Sequence, residues 1–351
     1  MNTLARSVTG GVDTHLEFHV AAALDERGGL LGIERFDTTT RGYKKLLAWL
    51  EAFGPVVLVG VEGTSSYGAG LTRHLHAEGI AVVEVDRPNR QRRRRQGKSD
   101  PKDAVSAARA ALSGDADGAA KTQDGNVEAI RVLRVAQTSA RSARSQALNQ
   151  MRSLVSTAPE PIRGELRGLS VHRLLARAST YRPGTKRDVI SLTKLTLRGL
   201  ARRAIELEEE IRAYDAILEP LVTETAPELV SALGVGPDSA GALLVAAGDN
   251  PERLRSEAAF AHLCGAAPLD ASSGKQQRHR FDPGGDPQAN SALWHIVITR
   301  MVYDPRTTAY IERRMKSASS PRRRPCAASS ATSPERSSTC SRWTDWSLDS
   351  P

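Results

Sequence analysis

Cysteine is scarce: Cys264, Cys326 and Cys340 are the only three in 351 residues. Their spacing fits neither a disulfide framework nor a cysteine metal site, which points to a reducing compartment. Long apolar runs are missing too. No stretch is long enough to cross a bilayer, and Met1 to Thr9 lacks the apolar core of a signal peptide, so the expected location is cytoplasmic. Aromatic residues make up only 4% of the chain, although hydrophobic residues reach 40%, enough for sizeable cores.

What is present is length and positive charge. A chain of 351 residues accommodates two or three domains. Its net charge is +9 and its pI about 9.7. A chain this basic is expected to meet a polyanion, nucleic acid before membrane. Part of the charge is clustered rather than evenly spread, at Arg90, Arg92, Arg93, Arg94 and Arg95.

Residues 8–36 read as three strands, 8–14, 16–24 and 30–36, with a turn at Asp25-Glu26-Arg27-Gly28-Gly29. Tyr43, Leu46, Leu47 and Leu50 then recur at helical spacing. The run 56–61 has the character of a strand buried on both faces. A helix over about 67–78 and a second buried strand over 80–85 follow. Another helix opens in Lys98-Ser99-Asp100-Pro101-Lys102-Asp103, where proline suits the first turn and Asp100 suits the N-cap. Three strands, helix, strand, helix, strand, helix is the order of an RNase H-like fold. In that fold an antiparallel meander joins parallel crossover strands, and the first and fourth strands are neighbours.

This order gives four carboxylates a common destination. Asp13 ends the first strand and Glu62 the fourth, each directly after a buried run where a charge is costly unless it meets a cation. Asp100 and Asp103 lie on one side of a helical turn. Singly, these residues read as a strand-end turn, a helix-cap partner and a capped helix on a basic surface. Together they form a hard oxygen set of the kind Mg²⁺ prefers, suited to clamping the attacking and leaving oxygens of a phosphodiester.

Residues 114–124 read as an exposed connection. Two long helical patterns follow, over 126–157 and about 191–221, whose apolar stripes are not strict heptads. They pair as a hairpin within one chain or dimerise as a coiled coil. Arg131, Arg134, Arg141, Arg144 and Arg152 follow a nucleic-acid backbone or are simply solvated, and the pattern leaves both open. Near Pro227, Leu233-Gly234-Val235-Gly236-Pro237 leads into an apolar helix in the manner of a helix-hairpin-helix, whose glycines let backbone amides approach a phosphate. Ser272-Ser273-Gly274-Lys275 with Arg278, His279 and Arg280 offers a serine beside a glycine and several cations, a candidate nucleophile toward a phosphodiester. Gly284-Gly285-Asp286 reads as a turn before a helix over 290–301.

These motifs resemble those of the insertion-sequence transposases of the IS-one-ten family, the DEDD transposases. The N-terminal likeness lies in Gly11-Val12-Asp13, Val61-Glu62-Gly63-Thr64 and Lys98 to Ala104. The C-terminal likeness runs through Leu233 to Pro237, Gly265 to Pro268, Ser272-Ser273-Gly274, Gly284-Gly285-Asp286, Gln288-Ala289-Asn290 and Tyr303 to about Arg314. The resemblance implies an α/β plus α protein. Residues 1–115 are then a RuvC-like nuclease domain with Asp13, Glu62, Asp100 and Asp103 as its Mg²⁺-binding catalytic tetrad. Residues 126–224 are a helical linker, and 227–316 a C-terminal domain whose catalytic serine is Ser273, with Ser272 as fallback. It also implies DNA cutting and rejoining, a structured non-coding guide RNA and assembly as a homo-oligomer. Nucleic-acid contacts are expected at Arg90, Arg92, Arg93, Arg94, Arg95, Lys98, Lys102, Lys275, Arg278 and Arg280. Asp282, Pro283 and Pro287 stand where such proteins carry more basic residues, which weakens the expectation of phosphate contacts at that turn.

Residues 317–351 are rich in Ser, Arg, Pro and Ala without apolar periodicity, the composition of disorder. Residues 327–335 also back-translate so that a one-nucleotide shift reads Arg-Cys-Leu-Lys-Arg-Tyr-Ile-Ala-Arg. That peptide is similar to the amphipathic C-terminal helix of such transposases, and predicts a frameshift near residue 316. Two other functions fit less of the pattern: a RuvC-like Mg²⁺-dependent nuclease on branched DNA, and a decayed transposase that only binds nucleic acid.

Overall fold

A computed structural model describes residues 7–85, 99–116, 118–250, 254, 256–270, 279–280, 282 and 284–318. They form two compact units. Among these described residues, one unit joins those up to Glu128 with those of Ala246–Asn290, and the other joins Ala129–Val245 with those from Ser291 to Ala318.

The first unit is built on a five-stranded sheet. β1 (Val8–Thr14), β2 (Phe18–Asp25) and β3 (Leu30–Asp37) form an antiparallel meander. Helix α1 (Thr40–Glu51), capped by the Thr39 side chain on the Gly42 N–H, leads to β4 (Val56–Glu62). Helix α2 (Ala69–Ala77) leads to β5 (Val82–Val85). The order across the sheet is β3-β2-β1-β4-β5, with β4 parallel to both β1 and β5. The first and fourth strands are therefore neighbours, as the element order predicts. Alternation along the strands divides their side chains between two layers. Val8, Val12, Ala21, Ala23, Val59 and Val61 pack in one core with Leu46, Leu47, Leu50, Leu71 and Leu75 from α1 and α2. Val20 and Ala22 face the other way and meet Ala104.

Ala104 belongs to α3 (Asp100–Ser113), whose alanines 104, 107, 108 and 111 are buried. This helix lies unusually close to the sheet. A Cβ on Gly11 would stand 2.1 Å from the Ala108 nitrogen and 2.4 Å from the Ala104 oxygen, and one on Gly60 2.7 Å from the Ala107 oxygen. Gly11 and Gly60 sit opposite each other in the β1–β4 register. Two facing glycines and a stripe of alanines thus let backbone press on backbone.

The second unit contains the two long helices, α4 (Asn126–Thr157) and, beyond the short α5 (Glu160–Leu166) and α6 (Val171–Ser179), α7 (Val189–Thr225). At one end Leu148, Met151 and Val155 share a core with Ile162, Leu166, Leu174, Leu175, Leu197 and Ala201. Farther along, the contacts are polar. Arg144 Nε meets Glu208 Oε2 at 2.5 Å, Arg141 Nη2 meets Asp215 Oδ1 at 3.1 Å, and Gln137 Nε2 donates to Asp215 Oδ1 at 2.5 Å. Residues rising along α4 meet residues falling along α7, so the pair is an antiparallel hairpin within one chain. Counting polar partners, the facing positions 130, 134, 137, 141, 144, 148, 151 and 155 keep a 4-3 spacing. So do 197, 201, 204, 208, 211, 215, 218 and 222. The regular seam that apolar residues alone do not reveal is completed by ion pairs, which set register more than they add stability.

Helix α8 (Pro227–Ser231) turns through Gly234, at φ 83°, into α9 (Pro237–Ala247). The chain then returns to the first unit. Asp249 accepts hydrogen bonds from the Val127 and Glu128 N–H groups at 2.8 and 3.2 Å, and Asn250 Nδ2 donates to the Ala120 carbonyl at 2.9 Å. Helix α10 (Glu257–Leu263) and a two-stranded pair, β6 (Leu269–Asp270) with β7 (His279–Arg280), follow. Helices α11 (Pro287–Tyr303) and α12 (Pro305–Ala318) end the described chain.

Substitutions at two glycines separate packing from helix propensity. Gly11→Ala is expected to cost about 3 kcal/mol, the upper end for overpacking, because backbone rather than a side chain must yield. Gly199→Ala, inside α7 where an added Cβ meets nothing within 4 Å, is expected to add roughly 0.5–1 kcal/mol. Urea unfolding of the two variants beside the wild type reads both.

Candidate metal centre

Asp13 and Glu62 stand at the carboxyl ends of the neighbouring strands β1 and β4. Alternation turns both toward α3, the side on which Gly11 and Gly60 meet that helix. The pressed-down helix brings its own first turn, with Asp100 and Asp103, over the same strand ends. Asp13, Glu62 and Asp103 are only 6%, 8% and 9% exposed, and Asp100 is half-buried. Burial pushes the Asp13 carboxyl up to about 6; His15 draws it down, while the charges of Glu62, Asp103 and Asp100 raise it further. Glu62, Asp103 and Asp100 are therefore close enough to act on the charge of Asp13.

Ser99, not Asp100, occupies the N-cap of α3, and Asp100 is the first helical residue. Its carboxylate is thus turned to the cluster rather than spent on the helix end. The positive end of the helix dipole still favours negative charge there.

His15 was not among the expected site residues. Its Nε2 lies 3.2 Å from Asp13 Oδ2 and 3.5 Å from Asp100 Oδ2. One ligand atom from each of Asp13, His15 and Asp100 falls within 4.8 Å of the others. Asp13 Oδ2 and His15 Nε2 are both buried and neither makes a hydrogen bond. The signal available in the sequence was the histidine two residues after Asp13, which a tetrad of carboxylates gives no reason to single out.

These residues fit a divalent cation. Several carboxylates share a largely buried region, burial and then the neighbouring charges hold the Asp13 carboxyl above its usual range, and its inner oxygen makes no hydrogen bond. Oxygen-rich donor sets of this kind suit Mg²⁺ or Mn²⁺.

The other expected residues are placed as follows. Lys102 is exposed on the first turn of α3, and Arg280 is exposed in β7. Arg90, Arg92, Arg93, Arg94, Arg95, Lys98, Ser272, Ser273, Lys275 and Arg278 lie outside the described residues. Arg134, Arg141 and Arg144 of α4 turn inward: Arg134 and Arg141 donate to Asp238 at 3.0 and 2.9 Å, and Arg144 pairs with Glu208. Asp238 lies in the first turn of α9, so the carboxylate beside the Gly-Val-Gly turn is already bound to two guanidinium groups. At Gly284-Gly285-Asp286 a Cβ on Gly285 would stand 2.1 Å from the Gly265 nitrogen. Asp286 Oδ1 accepts from the Gln288 and Ala289 N–H groups at 2.8 and 3.0 Å, capping α11. That turn is a packing device. Cys264 beside it is buried, and burial pushes its thiol up to about 12, away from nucleophilic use.

The sheet, with acidic groups at two strand ends and on the helix turn above them, belongs to an α/β domain, and two family models say of what class. Residues 10–158 match a model for transposases, that of the DEDD type of IS110. Residues 226–312 match the transposase IS116/IS110/IS902 family. The chain belongs to the IS110 family of insertion-sequence transposases, whose reaction partner is DNA. No curated protein matches it. Among the described residues no helix is long and apolar enough to cross a membrane.

The Asp13 carboxyl holds its proton more tightly in the folded state than its ordinary value of 3.8. Its contribution therefore favours folding fully below pH 3.8 and is lost as pH rises through about 6. Above that, the ionised group costs on the order of 3 kcal/mol in metal-free protein. Asp13→Asn is expected to melt higher than wild type in chelator at neutral pH and to lose that advantage toward pH 4. Adding Mg²⁺ is expected to raise the melting temperature of the wild type but not of the variant.

Proposed function

We propose that this chain is a recombinase that cuts and rejoins DNA during insertion-sequence transposition, with an RNase H-like, RuvC-type domain over residues 1–115. A helical region over 126–224 and a C-terminal transposase domain over 227–316 complete it. The observation that carries the proposal is the convergence of Asp13, Glu62, Asp100 and Asp103 at one edge of the sheet, with Asp13 Oδ2 buried and without a hydrogen bond.

Asp13, Glu62, Asp100 and Asp103 would hold Mg²⁺. When bound, that ion supplies charge stabilisation at a phosphodiester and a readier nucleophile. Asp13 and Glu62 are fixed by the strands that carry them, and Thr14 Oγ1 ties the two strand ends by donating to the Glu62 carbonyl at 2.7 Å. Ser273 is the proposed second nucleophile. Its Oγ attacks a DNA phosphorus, the strand's terminal hydroxyl leaves with the proton, and a serine-linked phosphodiester remains for transfer to the new strand. A non-coding RNA guides the choice of DNA, and several copies of the chain assemble on it. Lys102 and Arg280, with Arg90, Arg92–Arg95, Lys98, Lys275 and Arg278, contact the nucleic-acid backbone.

The test is strand exchange by pure protein with Mg²⁺, the element's own DNA ends and its RNA. Asp13→Ala is expected to lower exchange by about 10²–10³-fold, in the range seen when a principal electrostatic group is removed. Ser273→Ala is expected to abolish the covalent protein–DNA adduct. Exchange that survives Ser273→Ala but not Asp13→Ala removes the serine from the mechanism and leaves a metal nuclease. No cleavage with all partners present identifies a chain that only binds. Binding itself should fall steeply with salt, as phosphate contacts release counterions.

A further inference from the structure

His15 has a place in the metal centre that a set of carboxylates leaves unassigned. Its Nε2 stands between two of the acidic residues, 3.2 Å from Asp13 Oδ2 and 3.5 Å from Asp100 Oδ2, and hydrogen-bonds neither. Adjacent ligands of an octahedral ion bound at about 2.1 Å stand about 3 Å apart. Both separations are thus close to the edges of a coordination polyhedron. Asp13, only 6% exposed, points an oxygen that makes no hydrogen bond into the same space.

The imidazole is also held in place. The Phe18 ring packs against it with centroids 4.8 Å apart, and the Arg35 guanidinium covers Phe18 at 3.6 Å from the ring centre. The His15 N–H donates to the Phe18 carbonyl at 3.1 Å, closing the turn between β1 and β2. Ring and backbone are therefore both fixed by β2, and β3 supplies the Arg35 cover. A side chain that served only to fill space at this edge would not need its nitrogen aimed between two carboxylates. About a quarter of the His15 side chain remains exposed, which leaves the centre open on that side.

We infer that His15 is a nitrogen ligand of the metal centre, making it a mixed site of Asp13, Asp100 and His15 with Glu62 and Asp103 beside them. The inference rests on the metal site proposed above and concerns which ion that site selects. Carboxylates alone serve Mg²⁺, Ca²⁺ and Mn²⁺ alike, whereas an imidazole donor strengthens binding of transition-metal ions and does little for Mg²⁺. The site should therefore take Mn²⁺ in preference to Mg²⁺ by a margin that depends on His15.

The experiment uses full-length, tag-free protein titrated with MnCl₂ and, separately, with MgCl₂ by calorimetry. It is paired with pulsed electron paramagnetic resonance of the Mn²⁺ complex, which detects a directly bound nitrogen. Wild type, His15→Gln and Asp13→Asn are compared, with melting curves in chelator to establish that each is folded. Wild type is expected to show the nitrogen coupling. His15→Gln is expected to lose it, with about tenfold or greater weakening of Mn²⁺ binding, the scale of lost metal-site interactions, and little change for Mg²⁺. If Mn²⁺ binds wild type without nitrogen coupling, and binding is lost in Asp13→Asn but unchanged in His15→Gln, the histidine is no ligand and the carboxylate site stands. If neither ion binds the wild type, the metal site itself is wrong and the inference falls with it.

Discussion

The contact of α3 with the sheet at Gly11 and Gly60 is the constraint on which the acidic centre depends. A helix that covers a sheet usually rests on side chains. Here two facing residues have no side chain, and the helix offers only alanines in return, so backbone atoms of the two layers touch. The helix cannot rise or slide without losing that fit. Its first turn is consequently held over the carboxyl ends of β1 and β4, the edge at which open α/β sheets gather their ligands. The glycines contribute no chemistry; they set the distance across which Asp100 and Asp103 can meet Asp13 and Glu62.

Bringing these groups together works against folding. A carboxylate buried among others loses hydration and gains repulsion, and Asp13 registers both in its upward shift. The rest of the unit has to hold the arrangement in place. It does so with an ordinary aliphatic core on the opposite face, where Leu46, Leu50, Leu71 and Leu75 are fully buried against Val8, Val12, Val59 and Val61. One face of the sheet supplies stability, and the other uses part of it to keep like charges close. A cation entering the cluster reverses the sign of the local interaction, which couples metal binding to stability.

How much of this is legible in the sequence depends on whether a feature is local. The strands, α1 and the long helices show in periodicity, because each buries a continuous apolar face. Asp13 and Glu62 stand out because each ends such a run. Features set by tertiary contact do not stand out. The hairpin seam contains Gln137, Arg141, Arg144, Glu208 and Asp215, and polar residues look like solvent-facing positions until their partners on the other helix are known. Helix α5 passes unnoticed because Pro159 and Pro161 read as punctuation, although proline is also at home in a first helical turn. Gly11 is visible as a motif letter, but nothing nearby says that a helix backbone lies on it. Gly284-Gly285-Asp286 reads as a turn, and only its contact with Gly265 and the start of α11 shows it to be a helix cap and a close backbone crossing as well.

The charge of the chain needs the same distinction between count and place. The net +9 invites the reading that arginine-rich helices bind a polyanion. Yet Arg134, Arg141 and Arg144 are engaged with Asp238, Asp215 and Glu208 inside one hairpin unit. Such internal pairs remove equal charge of each sign, so they leave the excess untouched and shift it onto other residues. Four carboxylates gathered at one sheet edge strengthen the conclusion, since the remainder of the chain must then be more positive than the total. The long helices are therefore better understood as a scaffold whose register is written in ion pairs. A search for the nucleic-acid surface should weigh basic residues by whether they already have an internal partner. Their density along the sequence is the poorer guide.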